Sequence, residues 1–433
     1  MKKMVFIGMV FFLLASFIGA NGQGETGDGT ADSVSIMFQG PANEREAMKA
    51  VAERFTAETG IEVELRYTPH DVYNEKLAGA ITSGDMPDIL QLDAPFLSNY
   101  AWGGHLVAVD DYVSDEIIRD MTPSSISQCT YPIDDRLYAV GPTDSTVLLF
   151  GNRSYLERVG ARIPTSVEDA WSMDEFNDIL EKLAALPEVE WPLDLMRAYG
   201  IKTEWATYGY APIFQSMGGN LIDRNKWSAE GVLDSSTNIA AAELIQEWVE
   251  KDWIVPAGAG DNQLYSDARS TALAWSGNWY FAAASQAMGD ELVAIPLPDF
   301  GKGTVTPNGT WIYGITAKST AKKTAGEYLN FIINDPEWRK ALRDNGLYPG
   351  LKSLAAEYPE YGDPNKMQIA FEQSNYALPR PKHPAYPTIT SQFMKAIDDI
   401  FNNADPKKAL SEAAEKIDRD IADHDGYPPF GGK

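Results

Sequence analysis

Residues 73–100 read YNEKLAGAITSGDMPDILQLDAPFLSNY, and the order of parts in that stretch decides the fold class. Val72, Tyr73, Leu77, Ala80 and Ile81 recur at three- and four-residue steps, the spacing of one apolar helix face. Ser83-Gly84-Asp85 stops that helix, because glycine takes the left-handed C-terminal conformation cheaply. Pro87 holds Met86 extended, and Asp88 to Asp93 reads as a short buried strand. Ala94-Pro95 then begins a second helix. The stretch leaves a carboxylate, Asp93, at the carboxyl end of a strand and beside a helix start, where open α/β sheets bind ligands.

Upstream the same rhythm is already running. Val34, Ile36 and Phe38 alternate in a strand over Ser33–Gln39; a helix follows Pro41 with Met48, Val51, Ala52 and Phe55 on one face; Ile61, Val63, Leu65 and Tyr67 alternate in the next strand. Strand and helix in strict alternation predict a parallel sheet with right-handed crossovers. Downstream, three turn-rich breaks interrupt the pattern, at Gly141-Pro142, across 296–309, and at 345–351. Between the first two lie helices over Tyr155–Gly160 and Ser172–Leu186, a helix ending at Gly218-Gly219, an amphipathic helix Thr237–Trp253, and strands Thr271–Gly277 and Glu291–Pro298. After the second break come a strand Trp311–Thr316, a helix Lys322–Asn334 and another begun by the Asp335-Pro336 cap. After the third, the clearest element is a helix from Asp405-Pro406 to about His424.

The segments YNEKL, SGDMPDI and LDAPFLSNYAWGGHLVAVDDYV resemble the first-lobe signature of the extracellular solute-binding proteins, family 1. These are the sugar-capturing subunits of bacterial ABC importers, the family that includes maltose-binding protein. ALAWSGNW (272–279) resembles the family's Trp-bearing strand and helix, GTWIYGITAKS (309–319) its return strand, and NGLYPGLKS (345–353) its last hinge. The resemblance spans about Val34 to Ala422. It implies an α/β two-lobe periplasmic binding protein fold, type II-like, with discontinuous lobes joined by three hinge crossings. The expected division is 1–22 as signal peptide, 23–32 as leader, 33–142 plus 300–347 as the first lobe, and 143–299 plus 348–433 as the second.

Composition bounds the function. Of 433 residues, 44% are apolar and 23% charged, as in soluble globular proteins. The formal charge is −26; losing the first 22 residues, which hold Lys2 and Lys3 and no acid, takes it to −28. A field of that sign repels nucleic acids and anionic membrane surfaces, so any membrane contact is expected only through a permease. Lys2-Lys3 before the apolar run Met4–Ala15 has the build of a signal peptide, and no cysteine follows it to carry a lipid, so a soluble periplasmic protein is expected. Cys129 is the only cysteine, read as a buried apolar side chain. His70, His105, His383 and His424 are scattered without metal-ligand spacing. Motifs of serine hydrolases, zinc peptidases and phosphate-binding loops are missing, so neither an enzyme nor a cofactor is expected.

Eleven tryptophans and twenty tyrosines suit a sugar site, which needs flat aromatic faces against C–H surfaces and polar groups around the hydroxyls. By resemblance, Trp279 is the second lobe's platform, Tyr208 an aromatic platform ten residues before the glycine pair, and Asp144 the hinge-region acid that accepts sugar hydroxyls. Trp311 follows a crossing where the first lobe's rim is expected. Asp93 ends a strand that faces the cleft. Gln39 ends the first strand; Asn43 and Glu44 lie in the following turn, where the chain departs from the family's acid–base pair. Arg380, in LPRPKHP, reaches over the ligand as a donor fork or makes a surface salt bridge. Trp205, Trp275 and Tyr386 are candidates for either core or cleft. The expected ligand is a carbohydrate, a di- or oligosaccharide, handed by a monomeric protein to ABC permease subunits. The alternatives are a glycerol-phosphate ester, a polyamine or a short peptide, and, further off, an enzyme acting on glycans.

Overall fold

A computed structural model describes residues 31–200, 203–363 and 367–430, so the expected signal peptide and most of the leader lie outside the described residues. Its strands are β1 (Ser33–Phe38), β2 (Glu62–Tyr67), β3 (Ile89–Asp93), β4 (Thr143–Asp144), β5 (Val147–Asn152), β6 (Trp191–Asp194), β7 (Thr271–Gly277), β8 (Leu292–Ile295), β9 (Trp311–Ile315) and β10 (Tyr348–Pro349).

They form two separate four-stranded sheets. The first has the order β2-β1-β3-β9, with β1 parallel to β2 and β3, and β9 running back antiparallel to β3. The parallel core is the one the strand–helix alternation predicts. Its helices, Ala42–Thr59 and Tyr73–Ser83, bury Met48, Val51, Phe55, Tyr73 and Leu77 against the apolar face of β1 and β3. Each such side chain removed from water stabilises the fold by about 1.5–3 kcal/mol. Gly84, at φ +79°, ends the second helix in the left-handed conformation and hydrogen-bonds back to Ala80 and Ile81.

The second sheet has the order β6-β7-β5-β8, with β6 parallel to β7 and β5 antiparallel to both neighbours. Edge strand β6 escapes sequence reading because Pro192 breaks its pattern. Its outer side is not free, because Leu193 donates to the Trp253 carbonyl and accepts from the Val255 N–H. The stretch 205–216 is not one regular helix: a π-helical turn, Ala206–Tyr210, runs into the α-helix Ala211–Ser216. Pro212 has no N–H to give the Tyr208 carbonyl four residues earlier, so the ordinary helical bond cannot form there.

The chain passes three times between the sheets. β4 lies on the first passage and β10 on the third, and they pair, Tyr348 opposite Asp144 and Pro349 opposite Thr143. The middle passage, between β8 and β9, joins them through Gly309, whose N–H donates to Asp144. These are the discontinuous lobes and three hinge crossings of the two-lobe binding-protein fold. The C-terminal stretch does not stay with the second sheet alone. Helices Tyr386–Phe401 and Pro406–Asp423 pack on Ser236–Glu250. Trp102 of the first half, however, donates to the Pro428 carbonyl, and Asn99 to that of Pro384. Among the described residues no helix is long and apolar enough to cross a membrane.

Candidate functional site

Between the two sheets lies a cavity of about 640 Å³ with seven aromatic side chains in its wall: Tyr67, Tyr199, Trp205, Tyr208, Trp279, Trp311 and Tyr313. Strand ends and crossings deliver Gln39, Asp93, Thr143, Asp144, Ser145, Thr310 and Asn345 to its wall. Of the residues singled out from sequence, Gln39, Glu44, Asp93, Asp144, Tyr208, Trp279, Trp311 and Arg380 line it. Asn43 does not; it sits at the surface and donates to Asn345 Oδ1 at 2.8 Å. The two neighbours differ because one residue along a helix turns the side chain by about 100°. Trp205 lines the cavity, whereas Trp275 is core, fully buried and hydrogen-bonded to the Gly209 carbonyl at 2.7 Å. Tyr386 lies buried beneath the wall and donates to Glu204.

The aromatic floor comes from the second half. Trp279 follows β7, and its ring stands 5.9 Å from Tyr208, inclined 32°, with Trp205 at 6.1 Å edge-on. Gly277 makes this possible: a Cβ there would sit 2.2 Å from the Trp279 ring. Opposite, Trp311 opens β9 and is held edge-to-face by Tyr73 at 5.4 Å and His70 at 5.5 Å.

Asp93, at the end of β3, receives a bidentate fork from Arg380, Nη2 to Oδ1 at 2.7 Å and Nη1 to Oδ2 at 2.9 Å. Nη1 also reaches Glu204 Oε2 at 3.3 Å, and the guanidinium lies 5.0 Å from the Tyr208 ring centre. This is no surface salt bridge: Asp93 is 7% exposed and Arg380 6%. Burial works against the Arg380 charge, but the carboxylate of Asp93, with Tyr386 and Glu204, holds its pKa well above the usual value. Burial pushes the Glu204 carboxyl up to about 7 against the opposing pull of Arg380, and Asp93 adds to the rise.

Asp144 is wholly buried and its acceptor sites are filled by protein. Oδ1 accepts from the backbone N–H of Ser145 at 2.8 Å and of Gly309 at 3.1 Å; Oδ2 accepts from Ser124 Oγ at 2.5 Å and Gln128 Nε2 at 3.0 Å. Burial raises its pKa and these bonds oppose the rise. Ser145 in turn bonds the Tyr208 hydroxyl at 2.8 Å, fixing that ring to the hinge.

Sequence reading missed several wall residues. His70 joins the halves, Nδ1 to Gln39 Oε1 at 3.1 Å and Nε2 to the Tyr199 hydroxyl at 2.8 Å, with the two rings stacked. Burial lowers its pKa. Gln91 bridges the Gln39 N–H to the Tyr313 hydroxyl. Glu204 was legible in principle, because it stands one helical turn before Tyr208 and therefore on the same face. Tyr199 lies in a single helical turn, Arg197–Gly200, too short to give a periodic signal. Among the described residues no three His, Cys, Asp or Glu side chains converge to hold a metal ion.

Residues 50–368 match the family model of bacterial extracellular solute-binding proteins. A maltotriose-binding protein of Pyrococcus abyssi is 24% identical over 405 residues, covering 91% of this chain and 82% of that protein. An ABC transporter solute-binding protein from Thermotoga lettingae, solved with α-D-tagatose, superposes with a TM-score of 0.77 at 22% identity, over 90% of this chain and 99% of that one. An ABC substrate-binding protein from Listeria monocytogenes, solved with cycloalternan, gives 0.75 at 17% identity, over 90% and 99%. At these identities the solved structures establish a shared fold.

Proposed function

Because the chain belongs to the bacterial extracellular solute-binding proteins, we propose that its cleft captures a carbohydrate, a di- or oligosaccharide, and that the closed form delivers it to the permease of an ABC transporter. The observation that carries this reading is the pairing of Trp279 and Tyr208, two large rings inclined by 32° on one wall of a cavity roomy enough for more than one sugar ring. Such a floor takes the apolar C–H face of a pyranose, while polar groups at the rim take its hydroxyls. Relatives whose ligands are maltotriose, tagatose and cycloalternan support the same class.

In this reading Trp279, Tyr208 and Trp311 stack on the ligand, and Gln39, Glu44 and the Asp93–Arg380 pair orient it. Asp144 acts from behind the wall, through Ser145 and Gly309. The lobes are 33–142 with 300–347, and 143–299 with 348–433. A ligand that touches both shifts the equilibrium towards closure by its extra affinity for the shut form. The protein works as a monomer, exported by a cleaved signal peptide to the periplasm, and binds without turnover.

The test is a titration followed by the fluorescence of the cleft tryptophans, against neutral di- and oligosaccharides, sugar phosphates and short peptides. Saturable binding of saccharides alone is the expected result. Binding of only a sugar phosphate or a peptide overturns the reading, and so does hydrolysis of a bound glycan.

A further inference from the structure

The order of strands fixes which end of the cleft lies far from the hinge. In the first sheet β9 is the edge strand that receives the middle crossing, and β2 is the opposite edge. In the second sheet β5 follows the first crossing and β8 precedes the middle one, and β6 is the far edge. The segments that leave those two remote strands meet. His70 follows β2 and Tyr199 follows β6; the Tyr199 hydroxyl lies 2.8 Å from His70 Nε2, and the rings stack 5.7 Å apart, inclined by 14°. Gln39 Oε1, an acceptor, faces Nδ1 at 3.1 Å, which places the ring proton on Nδ1 and leaves Nε2 to accept from Tyr199. Each ring is braced on its own side by a cleft aromatic. Trp311 stands 5.5 Å from His70; Trp205 stands 5.8 Å from Tyr199 and 6.1 Å from Trp279. The wall is thus one belt of rings that passes from the first half to the second and crosses the gap at His70 and Tyr199.

We propose that His70 and Tyr199 form a clasp that favours the shut cleft before any ligand binds and that must part for a solute to enter or leave. The inference rests on the two-lobe binding reading and adds a gate to it; it does not depend on the chemistry of the ligand. The pair is made wholly of protein groups, so nothing bound is needed to form it. Two halves that swing about a hinge move furthest at the points furthest from it, so this contact breaks before the mouth opens. The Asp93–Arg380 pair, by contrast, packs against Gly309 of the middle crossing, where the same rotation displaces it least. One hydrogen bond and one stacked pair are a bias and not a lock: each shifts an equilibrium by about two- to tenfold. The clasp therefore lowers the open population and slows exchange without sealing the cavity. His70 and Tyr199 are positioning residues in this scheme, holding the Trp311 side of the cleft against the Trp205–Trp279 side.

The experiment places spin labels at Lys76→Cys, exposed on the helix that follows His70, and at Lys182→Cys, exposed on the helix that packs on β6. Cys129 is buried and stays unlabelled. The distance between the labels is measured by pulsed electron resonance with no saccharide added, and one short distance should dominate. Tyr199→Phe keeps the ring and loses the bond, and should raise the population at longer distance about two- to tenfold; His70→Ala loses bond and stack and should raise it further. Stopped-flow release of the tightest binder among maltose, maltotriose, cellobiose and cellotriose should quicken by the same factors. A long distance alone in the protein with His70 and Tyr199 intact, or variants whose distance distributions superpose on it, overturns the clasp. Release rates that neither variant changes overturn it as well. If none of the four saccharides binds, the carbohydrate reading falls, and the distance measurement still decides the clasp.

Discussion

Replacing Asp93 with Asn keeps the shape at the end of β3 but takes away the charge that Arg380 answers. The cost can be worked from the geometry. Both groups are more than nine-tenths buried, and the guanidinium gives two bonds of 2.7 and 2.9 Å to the carboxylate. Removing one member of a buried pair costs about 3–5 kcal/mol, because the survivor is left charged and dry. Glu204 remains at 3.3 Å to share the charge, which puts Asp93→Asn at the lower end, about 3 kcal/mol. Arg380→Met leaves two carboxylates facing one another and belongs at the upper end, about 5 kcal/mol. The double variant leaves neither partner stranded, so its loss should fall short of the sum of the single losses by about 2–3 kcal/mol. Urea unfolding followed by tryptophan fluorescence reads all three, through the midpoint at constant slope. In a thermal scan the single Asp93→Asn loss corresponds to a fall of about 6–12 °C for lobes of ordinary domain size. A loss below about 1 kcal/mol for Asp93→Asn, or single losses that add to within about 0.5 kcal/mol in the double variant, would refute the claim that this pair is a buried strut.

Three further outcomes are expected. Trp279→Ala and Tyr208→Ala should each weaken saccharide binding about 10–100-fold in calorimetry, the scale of one aromatic face lost from a ligand contact, with far-UV circular dichroism unchanged. Gly277→Ala should weaken it about tenfold, since the added methyl falls 2.2 Å from the Trp279 ring and must displace the platform; unchanged affinity would contradict that placement. The folded-state pKa of Glu44, about 7, lies above the ordinary carboxylate value of 4.5, so its contribution to stability is full below pH 4.5 and is lost as pH rises through 7. Between pH 5 and 8 the wild type should therefore lose about 2–3 kcal/mol more stability than Glu44→Gln, measured by urea midpoints across that range, with Glu204 contributing to the fall that remains.

How far the sequence could be read follows from the range of the forces involved. Strands β1, β2, β3 and β7 and the helix Lys322–Asn334 were legible because alternation, three-four periodicity and Gly or Pro stops are written within a dozen neighbouring residues. The hinge crossings were legible for the same reason. Trp279 and Trp311 could be singled out because each adjoins a strand end or crossing, and Tyr208 only through its resemblance to the family's aromatic platform. Contacts that join distant segments leave no local trace. His70 meets Tyr199 across 129 residues and Asp93 meets Arg380 across 287, and nothing in either neighbourhood announces its partner. Asp93 and Arg380 were each visible as single charges, but that they spend themselves on one another was not. Asn43 and Glu44 show the finest limit: the correct turn, with the buried side chain distinguishable from the exposed one only by helix phase.

The two acids that the sequence placed together at strand ends turn out to do different physical work. Asp144 gathers the crossings: it lies on the first, accepts from Gly309 of the second, and stands opposite Tyr348 of the third. A carboxylate with four short-range donors and no mobile partner is a rigid knot, so relative motion of the halves has to be taken up by residues flanking it. Asp93 works close by, where its bonds to Arg380, packed against Gly309, tie the first sheet to the C-terminal stretch. Neither carboxylate has an oxygen idle. Among the described residues the buried carboxylate of the wall with a spare acceptor oxygen is Glu44, whose Oε1 takes the Asn345 amide.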